Sequence, residues 1–206
     1  MGRVVIVRAV RAHTVRRAEP GDVRALATTL ASAFDDDPLT TWLFPQEGAR
    51  RRKLPRFFRS LIRVSLPFGE VYTGDDGRCA AIWNPPGTFP LAWYADARLG
   101  LVTTGLVGLR IVSCARGLMY FPRHHPTEPH WYLQMLGTDP AWQGHGGGSA
   151  IMAPVLDRCD RDGERIYLES SKERNIPFYE RHGFVLTEEV SVPRGPIVWA
   201  MWREPH

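Results

Sequence analysis

The sequence predicts an α/β fold, because three patterns of apolar residues follow one another along the chain. The first third of the chain has apolar residues at helical spacing. From residue 130 onward the pattern predicts a strand, a glycine-rich turn, a helix and a second strand. Two further strands are predicted at the end of the sequence. The length of 206 residues and the apolar fraction of 44% fit one globular domain. We find no internal repeat and no linker, so we expect a single domain over residues 1–206, with its motif-bearing core at 130–204.

The first half of the chain predicts helices around one hairpin. Apolar residues recur at three- and four-residue intervals in the helical segments, whereas Asp75, Asp76 and Gly77 form a hairpin turn signal between two short apolar runs. The predicted elements are a strand at Val15–Arg17, helices over 19–34, 50–64 and 91–119, a loop over 35–45, and two strands within 69–87.

The second half predicts strands alternating with helices. Pro154 is expected to bend the first of these helices, and Gly163 to end it. The predicted elements are strands over 130–138, 165–171, 184–190 and 197–204, and helices over 149–163 and 175–183.

Composition excludes several classes of partner. The net charge of +4 is too mild to indicate a nucleic-acid surface, and the basic helix over 50–64 needs its apolar face for the core. The longest apolar stretch, 99–109, is far shorter than the roughly 20 residues that span a bilayer. We therefore expect neither a nucleic-acid nor a membrane partner.

Cysteine and histidine spacing predicts no metal site and no disulfide framework. Cys79, Cys114 and Cys159 lie far apart, and His124, His125 and His130 fit no common zinc spacing. The apolar run near the amino terminus is too short for a signal peptide. A reducing cytoplasm is the expected compartment.

The stretch 142–150, WQGHGGGSA, places a glycine-rich turn between a strand and a helix. Free amides at a helix start, together with the helix dipole, bind phosphate groups. A Walker loop is excluded because no lysine follows, and a dinucleotide fingerprint is poorly matched because Ser149 takes the place of its last glycine. The pattern Q-x-x-G-x-G is filled by Gln143, Gly146 and Gly148.

This turn, followed after the next strand by NIPFYERHGF, resembles the GNAT superfamily of N-acetyltransferases. Within it, AAIWNPPG, YLESSKERNIPFYERHGF and PRGPIVWAMWREP resemble the branch that contains puromycin N-acetyltransferase. The resemblance extends over about residues 15–204 and is strongest over 130–204. It implies the GNAT fold, a mixed central sheet splayed between strands 4 and 5 with flanking helices, and acetyl-coenzyme A bound in the cleft.

The resemblance also assigns cofactor contacts by position. Leu136, Gly137 and Thr138 would offer backbone groups to the pantetheine arm, and an N–H near Leu136 would polarise the thioester carbonyl. Asn175 would touch the pantetheine or cap the short helix. The pyrophosphate would be held by seven consecutive residues: Gln143, Gly144, His145, Gly146, Gly147, Gly148 and Ser149.

Tyr179 is the residue that the resemblance assigns to chemistry, as the acid that protonates the departing thiolate. A phenol with an ordinary pKa of about 10 is neutral near pH 7, which suits that role. The alternative is a core tyrosine with a satisfied hydroxyl. Asn175 precedes Tyr179 by four residues, whereas many family members have seven, and this affects the assignment of Asn175 more than that of Tyr179.

The base that takes a proton from the amine is not evident from the sequence. Glu128, His130 and a water relay are the candidates, and strand alternation puts His130, Tyr132 and Gln134 on one face. The acceptor pocket is expected from residues 35–45, Trp83 and 91–119.

These observations predict an acetyl-coenzyme A-dependent N-acetyltransferase that acts on a primary amine of a small molecule by direct attack in a ternary complex. An amino-nucleoside antibiotic is one such acceptor. The alternatives are a protein lysine or amino-terminal acetyltransferase, and a non-catalytic acyl-coenzyme A sensor.

Overall fold

A computed structural model describes residues 13–89, 93–110, 112, 114, 117 and 125–206. Within these residues seven strands form one sheet. The strands are β1 (Val15–Arg17), β2 (Val71–Gly74), β3 (Cys79–Asn84), β4 (Trp131–Thr138), β5 (Ile166–Ser170), β6 (Val185–Ser191) and β7 (Ile197–Arg203). The helices are α1 (Val23–Ala33), α2 (Pro38–Leu43), α3 (Glu47–Ser65), α4 (Trp93–Val107), α5 (Gly147–Asp162) and α6 (Ile176–Glu180).

The predicted α/β class and mixed sheet are confirmed. The strand order is β1-β2-β3-β4-β5-β7-β6, and every pair is antiparallel except β4–β5. The amino-terminal apolar run, His124, and parts of the helix predicted over 91–119 lie outside the described residues.

The parallel pair at the centre of the sheet diverges along its length. Residues Trp131–Leu133 of β4 pair with Ile166–Leu168 of β5, and the pairing stops there. β4 nevertheless continues to Thr138 and β5 to Ser170. The unpaired ends leave a gap between the two strands, which is the splay that the family resemblance implied.

A β-bulge in β4 changes which side chains share a face. Ile82 pairs with Met135 and Trp83 with Leu133, so Gln134 is the extra residue. Met135 consequently packs with the α1–α3 side, whereas Leu133 packs with α5. The strict alternation predicted for this strand is wrong beyond Gln134.

Helices cover both faces of the sheet. On one face α1 and α3 pack against β2 and β3, with Leu26, Leu30, Phe58 and Ile62 almost fully buried. The helix predicted over 50–64 is longer and runs through Pro55, because burial of its apolar face outweighs the one lost backbone hydrogen bond.

On the other face α5 packs through Ile151, Val155, Leu156 and Cys159. It continues through Pro154 and ends at Gly163, which has φ +71° as its predicted capping role requires. No helix within the described part of the chain combines the length and apolarity needed to cross a bilayer.

The segment predicted as a loop over 35–45 contains α2. Asp37 is almost fully buried at its N-cap, and one carboxylate oxygen accepts hydrogen bonds from the amides of Leu39 at 2.9 Å and Thr40 at 3.4 Å. The other oxygen accepts a hydrogen bond from Ser171, just after β5. Asp37 therefore ties α2 to the end of the diverging strand.

Asp37→Ala is expected to lower the free energy of unfolding by about 1–2 kcal/mol, because the cap is lost. Asp37→Asn keeps an acceptor oxygen and is expected to cost less than half as much. Urea denaturation of the two variants and the wild type measures the difference. Equal losses would show that the carboxylate charge, not the cap, carries the stability.

Candidate active site

A cavity of about 460 Å³ lies where β4 and β5 diverge. It extends from the strand ends to the glycine-rich turn and α6. Most of the predicted site residues line it: Leu136, Gly137, Thr138, Gln143, Gly144, Gly146, Gly147, Gly148, Ser149, Asn175 and Tyr179.

The glycines of the turn serve two distinct structural needs. Gly144 and Gly146 have φ of +78° and +90°, which L side chains rarely adopt. A Cβ on Gly147 would lie 2.5 Å from the sulfur of Cys79, and one on Gly148 would lie 3.3 Å from the ring of Phe178. The turn is therefore bent and also pressed against the strand beneath it.

The turn presents donors to an anion. Ala150 donates to the carbonyl of Gly146 at 3.0 Å, whereas the first-turn amides of Gly147, Gly148 and Ser149 have no acceptor within the helix. Gln143 donates to the carbonyl of Thr138 at 3.2 Å, which holds the turn to the end of β4. Free amides and a helix N-terminus at one point form a site for negative charge.

Cations add to this positive field. The cavity lining includes Lys172, Arg174 and Arg181. The guanidinium of Arg78 stacks 3.5 Å from the ring centre of Trp142, beside the turn. Asp36 accepts from both Lys172 and Arg174, so those two side chains are held near the cavity.

Tyr179 lies in α6, with 8% of its surface exposed. Its ring packs with Phe178 and Phe184, and no described residue forms a hydrogen bond with its hydroxyl. Burial and the nearby charge of Asp37 raise the pKa of this phenol well above its ordinary value. The group therefore remains a protonated donor at neutral pH.

The short helix α6 is held in place from the end of the chain. Arg203, 4% exposed, donates through Nε to the carbonyl of His182 at 2.8 Å. Its two terminal nitrogens donate to the carboxylate of Asp160 at 2.6 and 2.7 Å. This bidentate ion pair links the end of β7 to α5 and to the turn after Tyr179.

Two predicted residues behave differently from expectation. Asn175 occupies the N-cap position of α6 but makes no capping hydrogen bond, so the capping interpretation is wrong; its backbone is already helical there. His145 points its Nδ1 at the carbonyls of Trp142 and Gln143, and its own carbonyl contacts the ring of His13. Its side chain thus supports the turn.

The two candidate bases lie apart from Tyr179. Glu128 is mostly exposed and pairs with Arg165 at 3.0 Å, and His130 contacts His125 through the two Nε2 atoms at 3.0 Å. Both line a second cavity, of about 520 Å³. Burial lowers the pKa of His130, and burial with the neighbouring His130 lowers that of His125 to about 4.

The expected acceptor residues are only partly brought together. Trp83 is buried in the α5 cluster, so it is not available to an acceptor. Asp35 pairs with Arg50 at 3.0 Å and Asp36 with Arg174 at 2.7 Å, whereas Asp37 lines the first cavity. Trp42 packs between two hydrophobic clusters.

Several cavity residues escaped the sequence reasoning. They are Trp142, Glu169, Lys172, Arg174 and Arg181. A signal for Glu169 existed, because a carboxylate in the middle of an apolar strand is rarely placed there without a partner. The others lie in loops and short helical turns, and only the fold brings them to one place.

Cys79 lies beneath the glycine-rich turn, although it is far from it in the sequence. Its sulfur lies under Gly147, and Thr138 contacts that sulfur at 3.6 Å. Burial raises the pKa of the Cys79 thiol, and that of the Cys159 thiol to about 12. Buried neutral thiols are poor nucleophiles. Among the described residues no cluster of side chains is arranged to hold a metal ion.

A sheet that opens between its two parallel strands, beside a glycine turn shaped for an anion, defines an acyltransferase fold. Residues 65–184 match the Acetyltransferase (GNAT) family, which is more than half of the chain. The chain belongs to this family.

Individual relatives agree with this assignment. An uncharacterized N-acetyltransferase of Schizosaccharomyces pombe is 28% identical over 193 residues, which cover 87% of this chain and 77% of the relative. A structure of histone acetyltransferase HPA2 and related acetyltransferase from Corynebacterium glutamicum has a TM-score of 0.68 and 26% identity, covering 95% of this chain and 98% of its own. An agmatine N-acetyltransferase structure shares the fold alone, with a TM-score of 0.57 and 18% identity. The match covers 94% of this chain and 100% of the agmatine N-acetyltransferase chain.

Proposed function

We propose that this chain transfers acetyl from acetyl-coenzyme A to a primary amine of a small molecule by direct attack within a ternary complex. The observation that carries the proposal is the hydroxyl of Tyr179, which has no hydrogen-bond partner among the described residues and lines the cavity between the diverging strands. A buried tyrosine normally finds a partner for its hydroxyl. In this proposal the partner is the departing thiolate, which Tyr179 protonates.

The remaining residues fit a long, anionic cosubstrate. The amides from Gly144 to Ser149 and the cations Lys172, Arg174 and Arg181 suit a pyrophosphate. The free edge of β4 at Leu136–Thr138 suits an amide-bearing arm, which pairs with it as an extra strand. Asn175 contacts the same arm, since its side chain makes no cap.

Direct attack is favoured over a covalent acyl-enzyme. Cys79 is the cysteine that lies nearest the turn in the described structure, and its thiol is buried with a raised pKa. A neutral thiol under the backbone of Gly147 is not placed to carry an acyl group.

The acceptor is proposed to be a primary amine that carries a flat aromatic group, such as an amino-nucleoside. The second cavity supports this, because Phe89, His125 and Tyr132 form a ring cluster with centroid distances of 4.3–4.9 Å. The motifs that resemble the puromycin N-acetyltransferase branch support the same choice. Aromatic walls bind planar ligands by stacking.

Release of free thiol from acetyl-coenzyme A tests the proposal. We expect turnover with primary alkyl amines that carry an aromatic group, including puromycin, and at least about tenfold lower kcat/KM with purely aliphatic primary monoamines, because these fill an aromatic pocket less well. Mass spectrometry of the product confirms N-acetylation. Tight cofactor binding without turnover on any amine would contradict the proposal and indicate a cofactor sensor.

Protein amines are the second candidate acceptor. The likeness at 26% identity to a structure described as histone acetyltransferase HPA2 and related acetyltransferase favours it. Lysine-containing and free amino-terminal peptides belong in the same assay, and a preference for peptides over every small amine would select this alternative.

A further inference from the structure

The carboxylate of Glu169 occupies an unusual position in the middle of β5. Its two oxygens accept hydrogen bonds from two phenols, from Tyr132 at 2.8 Å and from Tyr167 at 3.1 Å. The side chain lines the first cavity, in company with Tyr179. Within the described residues no cation forms an ion pair with it, so its charge is balanced only by hydroxyl donors.

Glu169 and Tyr179 approach the gap between the strands from opposite faces of the sheet. Tyr179 packs with Leu133 and Leu168 on the α5 side. The partners of Glu169, Tyr132 and Tyr167, pack with residues of β6 and β7 on the other side. A group that lies in the gap is therefore contacted by a phenol from one side and by a carboxylate from the other.

Tyr132 connects this carboxylate to the second cavity. Its ring lines that cavity, and its hydroxyl bonds to Glu169, which lines the first. An acceptor held against the aromatic wall thus lies on the face of the sheet that carries Glu169. The thiolate leaves on the face that carries Tyr179.

We propose that Glu169 is the group that takes the proton from the incoming ammonium, and that Tyr132 and Tyr167 position it. The inference rests on the proposed function. It replaces the two candidates drawn from the sequence, since Glu128 is paired with Arg165 at the surface and His130 is bonded to His125 and to the carbonyl of Glu128.

The proton and bond changes balance. The ammonium gives one proton to the Glu169 carboxylate, and the freed lone pair forms the N–C bond at the thioester carbonyl. The C–S bond breaks, and the thiolate takes the proton of Tyr179. The tyrosinate regains a proton from the nitrogen of the adduct, Glu169 releases its proton to water, and the products are amide, thiol and one proton.

The electrostatics of the site strengthen the Glu169 carboxylate as a base. Burial raises the pKa of the Glu169 carboxyl, and the hydrogen bonds from Tyr132 and Tyr167 oppose this rise. Other titratable groups face the cluster. The negative charge of Glu188 on β6 raises the pKa of Tyr167, and the rings of His125 and His130 contact Tyr167. Since the base must be ionised, kcat/KM should rise with pH through the pKa of Glu169.

The pH profile of Glu169→Gln tests the proposal, because glutamine keeps the size of the side chain and one carbonyl acceptor. At pH 7 we expect kcat/KM about 100-fold below wild type. The deficit should shrink below about tenfold near pH 9.5, where more of the acceptor is already the free amine. The exposed Glu189 on β6 supplies the matched control, and Glu189→Gln should stay within about twofold of wild type.

Tyr132→Phe separates a positioning role from a packing role. Loss of one donor raises the pKa of Glu169, so the rising limb of the kcat/KM profile should move to higher pH. Infrared difference spectra provide a readout apart from turnover: the carbonyl band of the protonated Glu169 should titrate in wild type, shift to higher pH in Tyr132→Phe, and be absent from Glu169→Gln.

Two results would overturn the inference while leaving the proposed function intact. The first is a kcat/KM of Glu169→Gln within about threefold of wild type at pH 7. The second is a loss of kcat/KM in Glu169→Gln that is the same at every pH, while the variant has the melting temperature of wild type. If wild type acetylates no amine and no peptide, the proposed function fails and this inference fails with it.

Discussion

Tyr179→Phe is expected to lower kcat about 100-fold, with the dissociation constant for acetyl-coenzyme A within about twofold of wild type. The ring would keep its contacts with Phe178 and Phe184, so the change removes only the hydroxyl. That hydroxyl has no partner within the described residues, and its loss therefore breaks no hydrogen bond there. Thiol-release kinetics and calorimetric titration with the cofactor measure the two quantities.

A matched control exists in the same hydrophobic cluster. Tyr72 is also buried against α5, but its hydroxyl donates to Glu70 at 3.0 Å, away from the cavity. Tyr72→Phe should lower stability by about 1 kcal/mol and leave kcat within about twofold. Unchanged kcat in Tyr179→Phe would remove this phenol from the mechanism, although the enzyme assignment would stand.

Gly147→Ala is expected to weaken coenzyme A binding at least about tenfold. Alanine normally stabilises a helix relative to glycine, so helix propensity alone predicts that this substitution raises the stability of α5 and leaves binding unharmed. Here the added Cβ would lie 2.5 Å from the sulfur of buried Cys79, and the backbone of the turn must move away. The amides that follow Gly146 then no longer point at one anion.

Removal of the obstructing sulfur tests that explanation. In the double variant Cys79→Ala with Gly147→Ala, coenzyme A affinity should return to within about threefold of the Cys79→Ala single variant. Calorimetric titration of all four proteins gives the coupling. If the double variant binds as weakly as Gly147→Ala alone, the glycine is needed for a reason other than its contact with Cys79.

The local patterns of the sequence were sufficient to place most of the strands and helices and the glycine-rich turn. Apolar spacing predicted α1 and α5, and the glycine-rich run predicted the turn at the start of α5. Local reasoning was wrong where a tertiary partner decides the conformation. Asp37 starts a helix because its carboxylate finds two amides and Ser171, and the β4 bulge depends on the register with β3.

The sequence by itself determined the α/β class, the glycine-rich turn before a helix and the place of Tyr179 after it, because each follows from residues close together along the chain. Only the tertiary structure decided that Cys79 lies under Gly147 and that Glu169 is held by two phenols. It also placed Glu169 and Tyr179 on opposite faces of one gap. Such contacts depend on strand pairing and on the direction of side chains from a twisted, bulged sheet, which no short stretch of sequence specifies.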